Sequence, residues 1–135
     1  MDSLSKVQRS AQMARIRSKD TIPEVEIRKL IHGMGFRFRL HRRDLPGTPD
    51  LAFISRRKVI FVHGCFWHVH DGCKNAILPK SNVEFWQKKL SANHARDVRN
   101  LNLLHECGWD VLTIWECELA DLECIRRKIK DFLVK

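Results

Sequence analysis

Leu51-Ala52-Phe53-Ile54 and Val59-Ile60-Phe61-Val62 are two short apolar runs, separated only by Ser55-Arg56-Arg57-Lys58. Short runs of apolar, partly β-branched residues between polar punctuation read as buried strands, and a link this short suits a hairpin. An antiparallel hairpin here excludes a purely parallel, doubly wound sheet. Upstream, Phe36, Phe38 and Leu40 alternate with Arg37, Arg39 and His41, which predicts a further strand with one basic face. Pro46-Gly47-Thr48-Pro49 is a turn that delivers Asp50 to the start of the hairpin.

Helices bracket this core. Thr21-Ile22-Pro23-Glu24 has the form of a capping box with proline in the first turn. Ile27, Leu30, Ile31 and Met34 follow at helical spacing, and Gly33 and Gly35 supply a stop. Ser81-Asn82-Val83-Glu84 is a second capping box, opening a long helix with apolar positions at Trp86, Leu90, Val98, Leu101 and Leu104 and an end at Gly108. Trp109 to Trp115 reads as a strand, and Leu122, Ile125, Ile129 and Phe132 mark a last helix. The order predicts the α/β class: one domain, residues 21–135, with a mixed β-sheet flanked by helices. Residues 1–20 carry Lys6, Arg9, Arg15, Arg17 and Lys19 and read as a basic N-terminal arm or a frayed, solvated terminus.

The 135-residue chain has a formal net charge of +9, a balance that favours a polyanionic partner such as nucleic acid. No apolar run approaches transmembrane length, and Met1 to Lys6 lacks the apolar core of a signal peptide. The expected compartment is a reducing cytoplasm, where the five cysteines serve as metal ligands or core residues rather than disulfides.

Val62 to Cys73 reads V-H-G-C-F-W-H-V-H-D-G-C. Cys65, His70 and Cys73 are spaced C-x4-H-x2-C, and thiolate and imidazole donors at loop spacing suit tetrahedral Zn²⁺. Cys117, just past the strand ending at Trp115, is the best fourth ligand; the bland alternative is a set of buried thiols. Cys107 and Cys124 fall on helical apolar positions and are expected in the core. His63 and His68 remain for chemistry. Asp50 at one strand start and His63 at the neighbouring strand end have the layout of metal-dependent phosphodiester hydrolysis, with a carboxylate for Mg²⁺ and a base for water. Taken alone, Asp50 is more simply a turn aspartate, Glu24 a capping residue, and His63 and His68 ordinary core or surface histidines.

The combination of Pro46-Gly47-Thr48-Pro49-Asp50, Val62-His63-Gly64-Cys65-Phe66-Trp67-His68, Glu84-Phe85-Trp86, Gly108-Trp109 and Trp115-Glu116-Cys117 resembles the very short patch repair endonuclease family, a branch of the restriction-endonuclease-like superfamily. The likeness runs from about Ser10 to Cys117. It implies a single-domain restriction-endonuclease-like fold with a structural zinc, and a Mg²⁺-dependent enzyme that nicks one strand of duplex DNA next to a T:G mismatch. It implies Asp50 as the Mg²⁺ carboxylate, aided by the backbone carbonyl of Val62. His68 is then the general base, His63 assists at the scissile phosphate, and Glu24 supports the catalytic histidine or the metal-bound water. Cys65, His70, Cys73 and Cys117 match the zinc ligands. Phe66, Trp67 and Trp86 match an aromatic wedge in the DNA stack, Lys89 and Asn93 match residues facing the mismatched bases, and Met13 matches one entering the opposite groove. Two positions depart from the family pattern. Val62 stands where threonine is frequent, and the zinc loop His68-Val69-His70-Asp71-Gly72-Cys73 is not an unbroken histidine run.

The basic residues Arg37, Arg39, Arg42, Arg43, Arg56, Arg57, Lys88, Lys89, Arg96 and Arg99 are expected to supply some phosphate contacts, the rest being a solvated face. The partner expected is mismatched double-stranded DNA, met by a monomer. The rival readings are an enzyme with another mismatch or a restriction site as target, and a zinc-bearing DNA-binding module without catalysis.

Overall fold

The computed structural model describes residues 21–73 and 77–134. The basic arm, with Met13, lies outside the described residues. The elements are α1 (Ile22–Gly33), β1 (Arg39–Leu40), β2 (Leu51–Phe53), β3 (Lys58–His63), α2 (Val83–Glu106), β4 (Asp110–Trp115) and α3 (Leu122–Val134). The four strands lie in the order β1-β2-β3-β4. β2 is antiparallel to both β1 and β3, whereas β4 runs parallel to β3 after the α2 crossover. This is the mixed sheet that the hairpin requires.

The two-residue period of the strands sorts the core into two sides. Leu51, Phe53, Ile60 and Ile114 pack with Ile27 and Ile31 of α1 and Ile125, Ile129 and Leu133 of α3. Ala52 and Val59 face the other way, where Leu104 of α2 and Trp109 close a smaller cluster. Three layers result, with the sheet in the middle. Among the described residues no helix is long and apolar enough to cross a membrane.

Several local expectations are corrected. The first strand is only Arg39 and Leu40, not Phe36 to Leu40. Arg39 pairs with Ala52, and beyond Phe53 the partner chain turns into a 3₁₀ segment, Ile54–Arg56, so residues 36 and 37 have no strand opposite them, while Phe38 meets Phe53 only through its ring. Phe36 and Phe38 still alternate inward and pack on the core. Ile54 leaves the sheet for that turn, and Arg57, with φ 54°, brings Lys58 into β3. Neither arginine of the turn is spare for phosphate. Arg56 donates to Leu133 O at 2.7 Å and lies over Phe36, and Arg57 donates to Cys107 O at 2.7 Å and lies over Trp109.

Thr21 accepts the Glu24 N–H at 3.4 Å, as the first box predicts. The second box does not form: Asn82 is the cap residue, in a left-handed conformation that asparagine tolerates, and makes no side-chain cap bond. Cys107 and Cys124 are exposed, not core. Cys107 ends α2 beyond the buried Leu104, and Cys124 lies beside the stripe Ile125, Ile129, Leu133 that owns the core face of α3. Val98 and Leu101 of α2 are also exposed, and they line a cleft rather than the core.

Candidate active site

A cleft of about 1770 Å³ opens between the N-terminal end of α1, the C-terminal ends of β3 and β4, and one face of α2. Asp50, Glu24, His63, His68, Trp67, Lys89 and Asp97 all line it. Parallel pairing places His63, the last residue of β3, opposite Trp115, the last of β4. The loop after β3 and the segment after β4 therefore emerge side by side.

Asp50 reaches the cleft from the turn before β2. Gly47 makes that turn possible. Its φ is 79°, and a Cβ there would come within 3.0 Å of Asn100 Nδ2 and 3.1 Å of Phe61 Cζ. Asp50 Oδ2 accepts the Val62 N–H at 2.7 Å. The carboxylates of Asp50 and Glu24 and a ring nitrogen of His41 lie within 4.8 Å of one another. Burial pushes the Asp50 carboxyl up to about 8; the Val62 N–H opposes the rise, and the nearby Glu24 carboxyl adds to it. A carboxyl so placed is ionised at neutral pH when a cation joins it, so the donors suit a divalent ion. Glu24 is 1% exposed. Its Oε2 lies 2.8 Å from His41 Nε2 and pairs with Arg28.

The second cluster is His63, His68 and Asp97. The two imidazoles stack with centroids 3.7 Å apart and planes 6° from parallel. His68 Nδ1 lies 2.7 Å from Asp97 Oδ2. Burial, and then the adjacent His68, push His63 down to about 4, so it is neutral near pH 7. The carboxylate of this cluster stands at His68 and not at His63.

The third cluster joins Cys65, His70, Cys73 and Cys117, whose donor atoms all lie within 4.8 Å of one another. All four residues singled out in the sequence come together, across the sheet from loop to loop. Cys65 is fully buried, and burial pushes its thiol up to about 12. Three thiols and one imidazole form a donor set that fits a tetrahedral zinc, which would hold the thiols ionised. His70 Nδ1 lies 3.4 Å from Cys117 Sγ, and its ring stacks on Trp115 at 4.1 Å. Trp115 also meets His63 edge-on at 5.3 Å.

Phe66, Trp67 and Trp86 form one aromatic cluster, with centroid separations of 5.2, 5.4 and 5.8 Å. Phe85, 58% exposed, extends it at 5.1 Å from Trp86. Neither loop aromatic projects bare into solvent; each is half-buried against α2. Asn93 donates to Trp67 O at 3.1 Å, tying the loop to the helix, while Lys89 is exposed one turn earlier.

Sequence reasoning missed Asp97, His41 and Arg28. Asp97 carried a usable signal: Leu90, Asn93, Asp97, Leu101 and Leu104 recur at spacings of 3, 4, 4 and 3, and a carboxylate on such a stripe needs a partner. His41 did not, because its φ of 47° breaks the alternation of the preceding segment and its N–H turns to Asp50 O.

The family model described as DNA mismatch endonuclease Vsr matches residues 1–75. A curated relative named Type II nicking enzyme V.XorIIP, from Xanthomonas oryzae pv. oryzae, is 51% identical over 132 residues, which is 98% of this chain and 96% of the relative. The DNA mismatch endonuclease Vsr of Escherichia coli is 42% identical over 122 residues, covering 90% and 78% of the two chains. Type II nicking enzyme V.NmeAIP of Neisseria meningitidis is 38% identical over 128 residues, covering 95% and 91%.

Proposed function

The chain is a DNA endonuclease of the Vsr family, and within that family we propose that it nicks one strand of duplex DNA next to a T:G mismatch, with Mg²⁺ at Asp50 and a structural zinc. The observation that carries the reading is the meeting, in one cleft, of the half-buried Asp50 carboxylate, a carboxylate-paired histidine and Trp67, one edge of the aromatic cluster. A binding module without catalysis has no use for the first two.

Asp50 and the Val62 carbonyl would hold the divalent ion. When bound, Mg²⁺ supplies positive charge at the scissile phosphate and a more acidic water. His68 takes the proton from the attacking water. Asp97, on Nδ1, fixes which nitrogen is free and offsets the charge that forms. The water oxygen bonds to phosphorus, one P–O ester bond breaks, and the leaving oxygen departs on its chain end and takes a proton from solvent. Neutral His63, stacked on His68, contacts the phosphate as a hydrogen-bonding group rather than a cation.

Cys65, His70, Cys73 and Cys117 would bind zinc and so hold the loop that carries His68. Phe66, Trp67 and Trp86 open the stack beside the mismatch, where unstacking costs least. Lys89 reaches the exposed bases, Asn93 supports Trp67 from behind, and the N-terminal arm with Met13 approaches from the opposite groove. The mixed sheet is read as a restriction-endonuclease-like core. The test is a nicking assay on end-labelled duplexes carrying each mismatch, with and without Mg²⁺. Cleavage of one strand of the T:G duplex alone, only with metal, is expected; equal cleavage of matched DNA would transfer the target to a sequence.

A further inference from the structure

Glu24 is the most buried acid of the cleft, and one of its oxygens has two nitrogen partners. Arg28 Nη2 pairs with Oε2, and His41 Nε2 lies 2.8 Å from the same atom. Those two nitrogens are 3.3 Å apart. Glu24 and Arg28 are one helical turn apart on α1, so the helix itself presents the pair to the cleft. His41 is fixed by its backbone N–H, which donates to Asp50 O at 3.3 Å. Asp50 then completes the group, its carboxylate within 4.8 Å of the Glu24 and His41 donors.

Two carboxylates this close ordinarily converge on a divalent cation. Here one of them already has a covalently tethered, permanently charged partner, since a guanidinium does not lose its proton in a protein. We propose that Arg28 is a positioning residue of the metal site: it competes with the divalent ion for Glu24, leaving Asp50 as the carboxylate that receives the metal, and so keeps metal affinity low until DNA phosphate adds its own oxygens. The proposal rests on the reading of Asp50 as the metal carboxylate.

A purely structural ion pair makes the opposite prediction about metal. Removing Arg28 leaves two carboxylates facing each other in a partly buried pocket, which destabilises the metal-free protein. A divalent ion relieves that repulsion, so the variant that is less stable without metal binds metal more tightly. A pair that serves only packing would lose stability with unchanged or weaker metal binding.

The experiment is a titration of the full chain with Mn²⁺ alone, without DNA, read by the loss of the free-ion electron paramagnetic resonance signal and by the metal-induced rise in melting temperature. Arg28→Met is expected to bind Mn²⁺ on the order of tenfold more tightly than the unmodified chain and to show a larger thermal shift. Arg28→Met combined with Glu24→Gln should lose that gain. Arg28→Gln, which keeps a donor for Glu24 without the charge, should move in the same direction and serves if the methionine variant does not fold. Equal or weaker Mn²⁺ binding in a folded Arg28 variant overturns the proposal. Asp50→Ala separately checks the underlying reading, which fails if that variant binds Mn²⁺ as the unmodified chain does.

Discussion

Asp97→Asn tests the catalytic assignment at its narrowest point. The substitution keeps the size of the side chain and can still hydrogen-bond His68, but removes the charge. In the structure the carboxylate oxygen is 2.7 Å from His68 Nδ1, and the two side chains are 25% and 30% exposed. A hydrogen bond to a charged group in such a setting contributes about 1.5–3 kcal/mol, and partial exposure places this one toward the lower end. That bond reaches full strength only when His68 has taken the proton, so its loss falls on the transition state. At about 1.4 kcal/mol per decade the single-turnover nicking rate should fall on the order of 10–10²-fold. An asparagine amide can also turn its NH₂ toward Nδ1 and favour the wrong tautomer, which enlarges the loss. The assay is single-turnover nicking of a labelled T:G duplex at saturating protein and Mg²⁺, with DNA affinity and melting temperature measured in parallel. Affinity should stay within about threefold, because Asp97 sits behind the histidine and phosphate contacts dominate binding. A nicking rate within about threefold of the unmodified chain, in a folded variant, would refute the use of His68 as base through this pair.

Asp50→Ala should abolish Mg²⁺-dependent nicking while DNA binding persists, since the carboxylate serves the metal and the cationic surface serves affinity; rates and filter-binding constants measured together check this. Purified protein should carry about one zinc per chain by elemental analysis, and Cys73→Ala should lower zinc content and melting temperature together. Trp67→Ala should narrow the binding ratio of mismatched to matched duplex, with a loss of roughly 1–3 kcal/mol on the mismatched side, read at one fixed salt concentration. Ile129→Ala, deep between α3 and the sheet, should cost about 2–5 kcal/mol by denaturant unfolding without changing the nicking rate of the folded protein.

The hairpin, the long helix and the last strand were legible because each depends on local pattern: short apolar runs, helical spacing and a closing glycine at Gly108. The thiol–imidazole cluster was legible because ligand spacing within one loop is local, and Cys117 needed only the inference that β4 lies beside β3. What escaped depends on backbone geometry or on contacts between distant elements. The left-handed residues His41, Arg57 and Asn82 each redirect a segment, shortening β1, ending the hairpin turn and replacing a capping box. None is glycine; asparagine and histidine are only enriched in this region and arginine is not, so composition marks them weakly at best. Arg28 and Asp97 read as ordinary charges on helix surfaces until α1 and α2 are brought to the cleft. Arg56 and Arg57 show the converse error, since a basic turn looks like a phosphate contact until its guanidinium groups are found on the carbonyls of Leu133 and Cys107.

The parallel pairing of β3 and β4 explains why the thiol–imidazole cluster and the stacked histidines share one chain segment. Register sets His63 opposite Trp115, so Cys117 emerges two residues past one strand end, close to the loop that leaves the other. Trp115 stacks its ring on His70 and sets its edge to His63, which in turn stacks on His68. From the thiol cluster to His68 there is thus an unbroken series of ring contacts. The loop carrying His68 has little regular structure of its own, and a loop without buried backbone ladders opens at low cost. Two ties hold it: the four donors on the sheet side, and Asn93 and Asp97 on the α2 side. The same ties set Phe66 and Trp67 against Trp86, so the loop that carries His68 also carries the aromatic cluster, and the proposed coupling of mismatch seating to cleavage needs no other moving part.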